Sequence, residues 1–491
     1  MRARRRAPSG LVALAALAGL CRAAGAETRP RYGGTVEASL LGAPAGFDPV
    51  TAQAHADLTV VGLVFDTLYT AGADGAVQPH LALAAPVFDA ARTAAHIAIR
   101  RGVTFHDGAP LAASDVADSL ERVRARAGWL LAPVVSVRAT SDGIDVILRA
   151  PADLAALLAL PQTAITRRGI APGPTRVIGT GPFAVESFDP AGKRLALRAF
   201  DNHFAGRPYL DRLVLSWFDT PDGEARRFET GAAQLSARGE AAFAGARPKY
   251  QASEVESPAA LLLFVGFGKL HPQITGAPGF RAALDLALDR GALSTITTGE
   301  RTLPTRSPLP VEAGGNPFDP AGRAGDADRA RATLADAGKR TPALAPGKLA
   351  QTPLVIFFDQ TRPDDREIAL RVSRGLDKLG IAFTIQAVPT AALAAHTACD
   401  LWIGQLAAPV TLPAAWWGAA FAAGGDDKAA SAGALDPAAA AAEFARRLPI
   451  VPLMFRSLLL WHRTDVHGLA FDASGRPSFA DLYWFTPKGR P

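Results

Sequence analysis

The chain has 491 residues, a formal charge of +6, 49% apolar residues and two cysteines. That length exceeds one ordinary core and calls for two or three domains. The 20% charged fraction excludes a mainly disordered chain, and two cysteines exclude a disulfide scaffold or a zinc-ribbon array.

The first element is a leader. Arg2, Arg4, Arg5 and Arg6 form a basic start, Leu11 to Cys21 an apolar stretch, and Ala24-Gly25-Ala26 a small-x-small cleavage site. This order predicts a secretory signal peptide over 1–26, cleaved after Ala26. The apolar stretch is too short to span a bilayer, which takes about 20 residues. Leu20 stands where a lipobox wants a small residue, which argues against lipidation at Cys21. With Arg22, the leader holds five arginines and no acid, so without it the charge falls from +6 to +1. The pI near 9.5 is therefore no sign of a nucleic-acid surface, and no such partner is expected. Cys399 is then the one mature cysteine and reads as a small buried hydrophobe.

Ser114 can cap a helix carrying Val116, Leu120 and Val123. Residues 169–182 are rich in Gly and Pro and read as a crossing loop. Phe280, Leu284, Ala287 and Leu288 repeat a helical spacing. From 353 to 406 the order is strand, helix, strand, strand. Leu354–Phe358 is apolar, Ile368, Val372, Leu376 and Leu379 share a helix face, and Gly380 is a C-cap. Ile381, Phe383 and Ile385 alternate, and Leu401–Leu406 is a further apolar run, so an α/β lobe lies in this half. Trp402, Trp416, Trp417, Phe421, Phe455 and Trp461 crowd the same region. Core packing explains most of them, with one of Trp416 and Trp417 a candidate for a pocket. Asp436-Pro437 before five alanines reads as N-cap, N1 and helix.

Motifs for chemistry are missing: no G-x-S-x-G, H-E-x-x-H, Walker A or C-x-x-C occurs. Gly179-Thr180-Gly181-Pro182 is a tight turn rather than a phosphate loop, because Pro182 lacks a donor and no lysine follows. Phe105-His106-Asp107-Gly108 reads as a structural turn. The nine histidines have no helical ligand spacing, so neither a metal nor a cofactor is expected, and the chain is not read as an enzyme.

In order along the mature chain, these residues resemble the family 5 extracellular solute-binding proteins, the oligopeptide/dipeptide-binding class that serves ABC importers. Tyr32-Gly33-Gly34-Thr35 resembles the family's opening strand, and Phe47-Asp48-Pro49 its "L-D-P" element. Phe105 to Gly108, with Pro110, Leu111, Ala113, Asp115, Val116, Ser119 and Arg122, follows "F-H-D-G-x-P-L-x-A-x-D-V-x-x-S-x-x-R". Gly179 to Phe183 is similar to "G-T-G-P-[YF]", and Asn202 to Asp211 to "N-x-x-Y-x-G-x-P-Y-L-D". Arg281, Ala283, Leu284, Ala287, Asp289 and Arg290 are similar to "v-R-q-A-l-x-x-A-i-D-R".

The resemblance implies an α/β, two-lobed periplasmic binding protein fold, type II-like, with an extra domain inserted in the N-terminal lobe. Lobe I would comprise about 27–75, 178–257 and a return at 465–491. Domain II would comprise 76–177, and lobe III 258–464. It implies a periplasmic monomer that captures a peptide or other small organic solute and delivers it to ABC permease subunits in the inner membrane. The implied cleft walls are Ala43, Ala45 and Phe47 on one side and Gly404, Gln405, Leu406 and Ala408 on the other. Trp416 and Phe455 are further ligand-binding candidates.

The resemblance breaks at one place. The family's peptide binders carry a segment like "G-W-x-x-D-Y-x-D-P", whose aspartate pairs with the peptide's amino group. Here Gln405 stands at the tryptophan and Ala408 at the aspartate, and no carboxylate occurs from Leu401 through Gly425. Burying an ammonium without a partner charge costs several kcal/mol, so a neutral, apolar or aromatic ligand is expected. The stretch 418–445 is shorter than the family's, which predicts a wider or more exposed cleft. The alternative reading is a periplasmic sensor or partner-binding protein that keeps the fold.

Overall fold

Three sheets of four or more strands organise the described residues. The computed structural model describes residues 30, 32–72, 74–173, 176–238, 247–293, 295, 302–315, 324–362, 364–408 and 412–485. The leader, with its cleavage site and Cys21, lies outside them.

The first sheet has seven strands in the order Ala252–Glu256, Leu459–Arg463, Leu235–Ser236, Thr35–Ser39, Arg212–Ser216, Arg194–Ala199, Phe183–Asp189. Thr35–Ser39 runs parallel to Arg212–Ser216 and Leu235–Ser236, and the other pairs are antiparallel. The sequence reading starts the C-terminal return at 465, but Leu459–Arg463 already pairs in this sheet. Between Ser39 and Phe183 the chain builds an antiparallel four-stranded sheet, Val87–Phe88, Ala94–Ala98, Gly143–Leu148, Val134–Ala139.

The third sheet has six strands in the order Thr302–Pro304, Val451–Arg456, Leu261–Phe267, Leu401–Ala407, Leu354–Asp359, Phe383–Val388. Leu354–Asp359 pairs parallel with both its neighbours. The helix Asp364–Lys378 connects Leu354–Asp359 to Phe383–Val388, so the α/β unit read from the sequence is present. Gly380 takes the left-handed conformation expected of it, with φ +70°. The central strands Val451–Arg456, Leu261–Phe267 and Leu401–Ala407 are buried on both faces, as a covered sheet requires, while the edge strand Phe383–Val388 is partly exposed. Along Leu261–Phe267, Leu263 and Val265 enter one core, while Leu262 and Phe264 enter another.

That second core also holds Val116, Leu120, Trp129 and Val146 around the four-stranded sheet. The helix Pro413–Ala423 makes the junction. A Cβ on its Gly418 would lie 2.4 Å from the Trp129 ring, so only glycine lets that indole seat against the helix. The helix Ala113–Arg126 starts one residue before Ser114, and Ser114 is not its cap. The Asp115 carboxylate instead accepts from the Ala112 N–H at 2.9 Å. Asp436 does cap Pro437–Arg447, accepting from the Ala439 N–H at 3.0 Å.

The chain crosses between the seven- and six-stranded sheets at 257–260 and at 457–458. The two crossings are bonded side by side. Ser257 N–H donates to the Leu458 carbonyl at 2.9 Å, Leu458 N–H to Ser257 Oγ at 2.8 Å, and Ser457 Oγ–H to Glu256 at 2.6 Å.

Candidate functional site

The C-terminal ends of the parallel strands Thr35–Ser39 and Leu354–Asp359 face one another across a seam between the two large sheets. In open α/β sheets such ends are where ligands bind. The loop after Ser39 meets the loop after Asp359. Ala43 N–H donates to Thr361 Oγ1 at 2.9 Å. Gly42 has φ +103°, and a Cβ there would come within 2.9 Å of the Arg362 side chain. Thr361 is held by Asp359, whose Oδ1 accepts from its N–H at 2.8 Å and its hydroxyl at 2.7 Å.

Charged groups are buried along this seam. Arg238 and Glu224 form an ion pair in which both side chains are 1% exposed. Glu224 also accepts from Ser39 Oγ at 2.7 Å and Ser236 Oγ at 2.6 Å. Asp364 lies 3.8 Å from both Arg238 Nε and Arg456 Nη2, so it links the two lobes. Arg362 Nε lies 2.9 Å from Asp365. Burial pushes the Asp365 carboxyl up to about 7, against the pull of Arg362. Burial likewise pushes Asp57 up to about 6, although its Oδ1 accepts from Ala45 N–H at 2.6 Å. Burial holds His55 down to about 4.

The sequence candidates fall into two groups. Ala43 is half-buried in the seam, and Ala45 is exposed beside it. Phe47 is buried and packs edge-on to Phe188 at 5.1 Å. Gly404, Gln405 and Leu406 lie on the strand Leu401–Ala407, with Ala408 just beyond, and all four are buried. A Cβ on Gly404 would lie 2.2 Å from the Phe264 ring, so its smallness serves packing. Leu406 borders a cavity of only about 30 Å³ with Val50, Ala52, Trp129 and Ala419. The wall is therefore covered, not widened or exposed as the short 418–445 stretch suggested. Trp416 and Phe455 are not brought to the seam. They are buried against each other at 5.3 Å, edge to face, within the core of the six-stranded lobe. Trp417 is buried there too, against Phe444 at 5.6 Å. Pro413–Ala423 is apolar on every side, and none of its residues is exposed, six of the eleven being buried and the rest half-buried.

Sequence reasoning missed Asp57, Glu224, Arg238, Thr361 and Arg362. Thr361-Arg362 could have been found, because they follow an apolar strand at its C-terminal end. Glu224 and Arg238 carry no sequence signal. The two family-like turns are structural. His106 accepts from Gly179 N–H at Nδ1, 3.3 Å, and donates from Nε2 to the Gly181 carbonyl at 2.9 Å. That neutral tautomer fits a pKa lowered by burial. Cys399 is buried, and burial pushes its thiol up to about 12, which makes it inert. No helix among the described residues is long and apolar enough to cross a membrane.

Two lobes joined by paired crossings, with a polar seam at the strand ends, define a two-lobed periplasmic binding protein fold. Residues 76–427 match the family described as bacterial extracellular solute-binding proteins, family 5 Middle. The chain belongs to that family. It is 30% identical over 266 residues to Protein XP55 of Streptomyces lividans, covering 51% of this chain and 48% of that protein. The chain spans about half the length of the curated relatives it matches. Among solved structures it is similar to the oligopeptide-binding protein AppA of Bacillus subtilis, in complex with a nonapeptide. The TM-score is 0.76 at 18% identity, over 93% of this chain and 100% of that one. It is also similar to the PBP AgaA of A. tumefaciens R10, in complex with agropinic acid. There the TM-score is 0.72 at 19% identity, over 92% and 99%. These likenesses show the fold.

Proposed function

We propose that the chain is the substrate-binding component of an ABC importer. It is exported to the periplasm, where it closes two lobes on a small organic solute or short peptide. As a monomer it then docks on permease subunits in the inner membrane. The observation that carries this reading is the pair of bonded crossings at 257–260 and 457–458 beside the seam. Two short parallel connections allow rigid lobes to rotate about one axis, the hinge motion of binding proteins. The structural neighbours' ligands, a nonapeptide and agropinic acid, are both organic solutes and support that class. The function needs binding and no chemistry. Ala408 offers no charge to a peptide ammonium, so recognition through the free amine is not expected at that position.

One observation favours the second reading, a periplasmic sensor or partner-binding protein. The apolar wall at Leu406 is filled by the protein's own side chains.

Native mass spectrometry of the chain purified from periplasm without refolding tests both. A mass excess lost on denaturation is expected, and it names the ligand class. A saturating ligand then raises stability by roughly 2.7 kcal/mol at a hundredfold excess over Kd. No adduct, and no thermal shift across small solutes and free or N-acetylated peptides, would favour the partner-binding reading.

A further inference from the structure

Away from the seam, three side chains from distant parts of the sequence converge. Asp66 follows the helix His55–Val64, His80 follows the strand Val77–Pro79, and His203 lies in the loop after Arg194–Ala199. Their donor atoms all lie within 4.8 Å of one another. His80 Nε2 is 2.8 Å from Asp66 Oδ1, and His203 Nε2 is 3.5 Å from Asp66 Oδ2. The cluster borders a cavity of about 690 Å³, which is also lined by the 203–209 loop and by residues 470–481.

Two buried atoms here are unsatisfied. Asp66 Oδ2 and His203 Nε2 have no hydrogen-bond partner, and their side chains are 5% and 7% exposed. His203 Nδ1 lies 3.1 Å from the Gly206 carbonyl, so Nδ1 carries the hydrogen. Nε2 of the neutral ring then turns a lone pair toward a carboxylate oxygen. Two lone pairs facing each other away from water need a positive charge between them, which a second proton on the ring or a metal ion supplies. A proton on Nε2 would draw the atoms to about 2.7–2.9 Å, the usual length of a charged N–H···O bond. The 3.5 Å between His203 and Asp66 leaves room for an ion, whereas His80, hydrogen-bonded to Asp66 at 2.8 Å, would exchange that bond for the metal. Donors about 2.0–2.1 Å from zinc stand roughly 3.3 Å apart in a tetrahedron. The nearby cations are committed elsewhere, Arg100 to the His80 carbonyl and the Phe204 ring, Arg476 to Asp472 and the Leu58 carbonyl, and Arg207 to Asp201 and Asp211.

We propose that Asp66, His80 and His203 bind a divalent first-row transition metal of the zinc type, with an open coordination position toward the cavity. Two imidazoles and one carboxylate are a borderline donor set that suits zinc, and three protein ligands leave one position free. The Gly206 carbonyl is the outer partner that fixes the His203 tautomer. Phe204 packs against both rings, at 4.9 Å from His80 and 4.8 Å from His203, and fixes their planes. The site needs no periodic spacing, so no local pattern marks it.

The test is zinc binding by the full chain purified without a polyhistidine tag, with magnesium as control. One zinc per chain and no magnesium are expected. His80→Gln and His203→Asn should each weaken zinc by more than the roughly 10–100-fold that loss of an outer partner costs. Equal zinc uptake by wild type and the double variant would overturn the proposal, as would no uptake. Should the variants fail to fold, anomalous diffraction from zinc-soaked wild-type crystals decides. A peak among the three side chains is expected, and a peak elsewhere or none would overturn the site.

Discussion

Asp365 is fully buried in the seam, and burial sets its chemistry. Its carboxyl is pushed up to about 7, and that of Asp57 up to about 6. An unfolded chain holds an aspartate near 3.9. Both groups therefore bind a proton more tightly in the folded protein. Their contribution to stability is complete below about pH 4 and is lost as pH rises through 6 to 7. His55 works in the other direction. Its folded value, lowered by burial to about 4, contributes stability above about pH 6.5 that is lost as pH falls toward 4. Asp365→Asn keeps the shape and removes one titration while leaving His55 and Asp57 in place. Between pH 5 and 8 the urea midpoint of the wild type should fall relative to that of Asp365→Asn. Parallel curves would mean that the Arg362 guanidinium, 2.9 Å away, keeps Asp365 ionised throughout.

At the scale of elements, packing explains what sequence could only name. Gly179-Thr180-Gly181-Pro182 reads as a tight turn, but its reason lies 115 residues earlier in the chain, at Val64. A Cβ on Gly179 would sit 1.9 Å from the Val64 carbonyl oxygen, and one on Gly181 would sit 2.5 Å from the Val64 carbonyl carbon. Backbone cannot yield there as a side chain can. Gly181→Ala should destabilise by about 2 kcal/mol or more, within the range for overpacking. Urea unfolding at pH 7 checks it, and a change near zero would mean that the His106 clamp moves with the loop. The same contrast runs along the chain. The α/β unit from Leu354 to Ala407 was legible because periodicity, Gly380 and strand patterning are local. Asp436 was legible because a cap acts over three residues. Ser114 misled because Asp115, one residue on, supplies the carboxylate that bonds back to Ala112. Trp416 misled because nothing local distinguishes an aromatic in a pocket from one in a core. Glu224 with Arg238, and Asp66 with His80 and His203, exist only once distant segments meet.

For the whole molecule, the question is how much of closure is built in without ligand. The lobes already touch through Ala43 N–H and Thr361 Oγ1, and through Asp364 between Arg238 and Arg456. Apolar contact adds to this, since Leu261 and Ala407 of the six-stranded sheet join the core around Phe47 and Leu40. A ligand's apparent affinity is its affinity for the closed form reduced by the fraction closed. Losing one net hydrogen bond of about 1 kcal/mol shifts an open–closed ratio roughly fivefold. Thr361→Val removes the hydroxyl that accepts from Ala43 and keeps the shape, whereas Thr361→Ser keeps the hydroxyl. If closed and open forms are comparably populated, the unliganded Thr361→Val protein should show a larger radius of gyration by small-angle scattering, and Thr361→Ser should not. Ligand affinity should then fall about threefold in the first variant alone. If the closed form dominates strongly, a fivefold shift leaves most molecules closed, and both radius and affinity stay near wild type. The size of the response thus measures the resting equilibrium. An equal expansion in both variants would place the effect in Asp359 and its loop rather than in contact between the lobes.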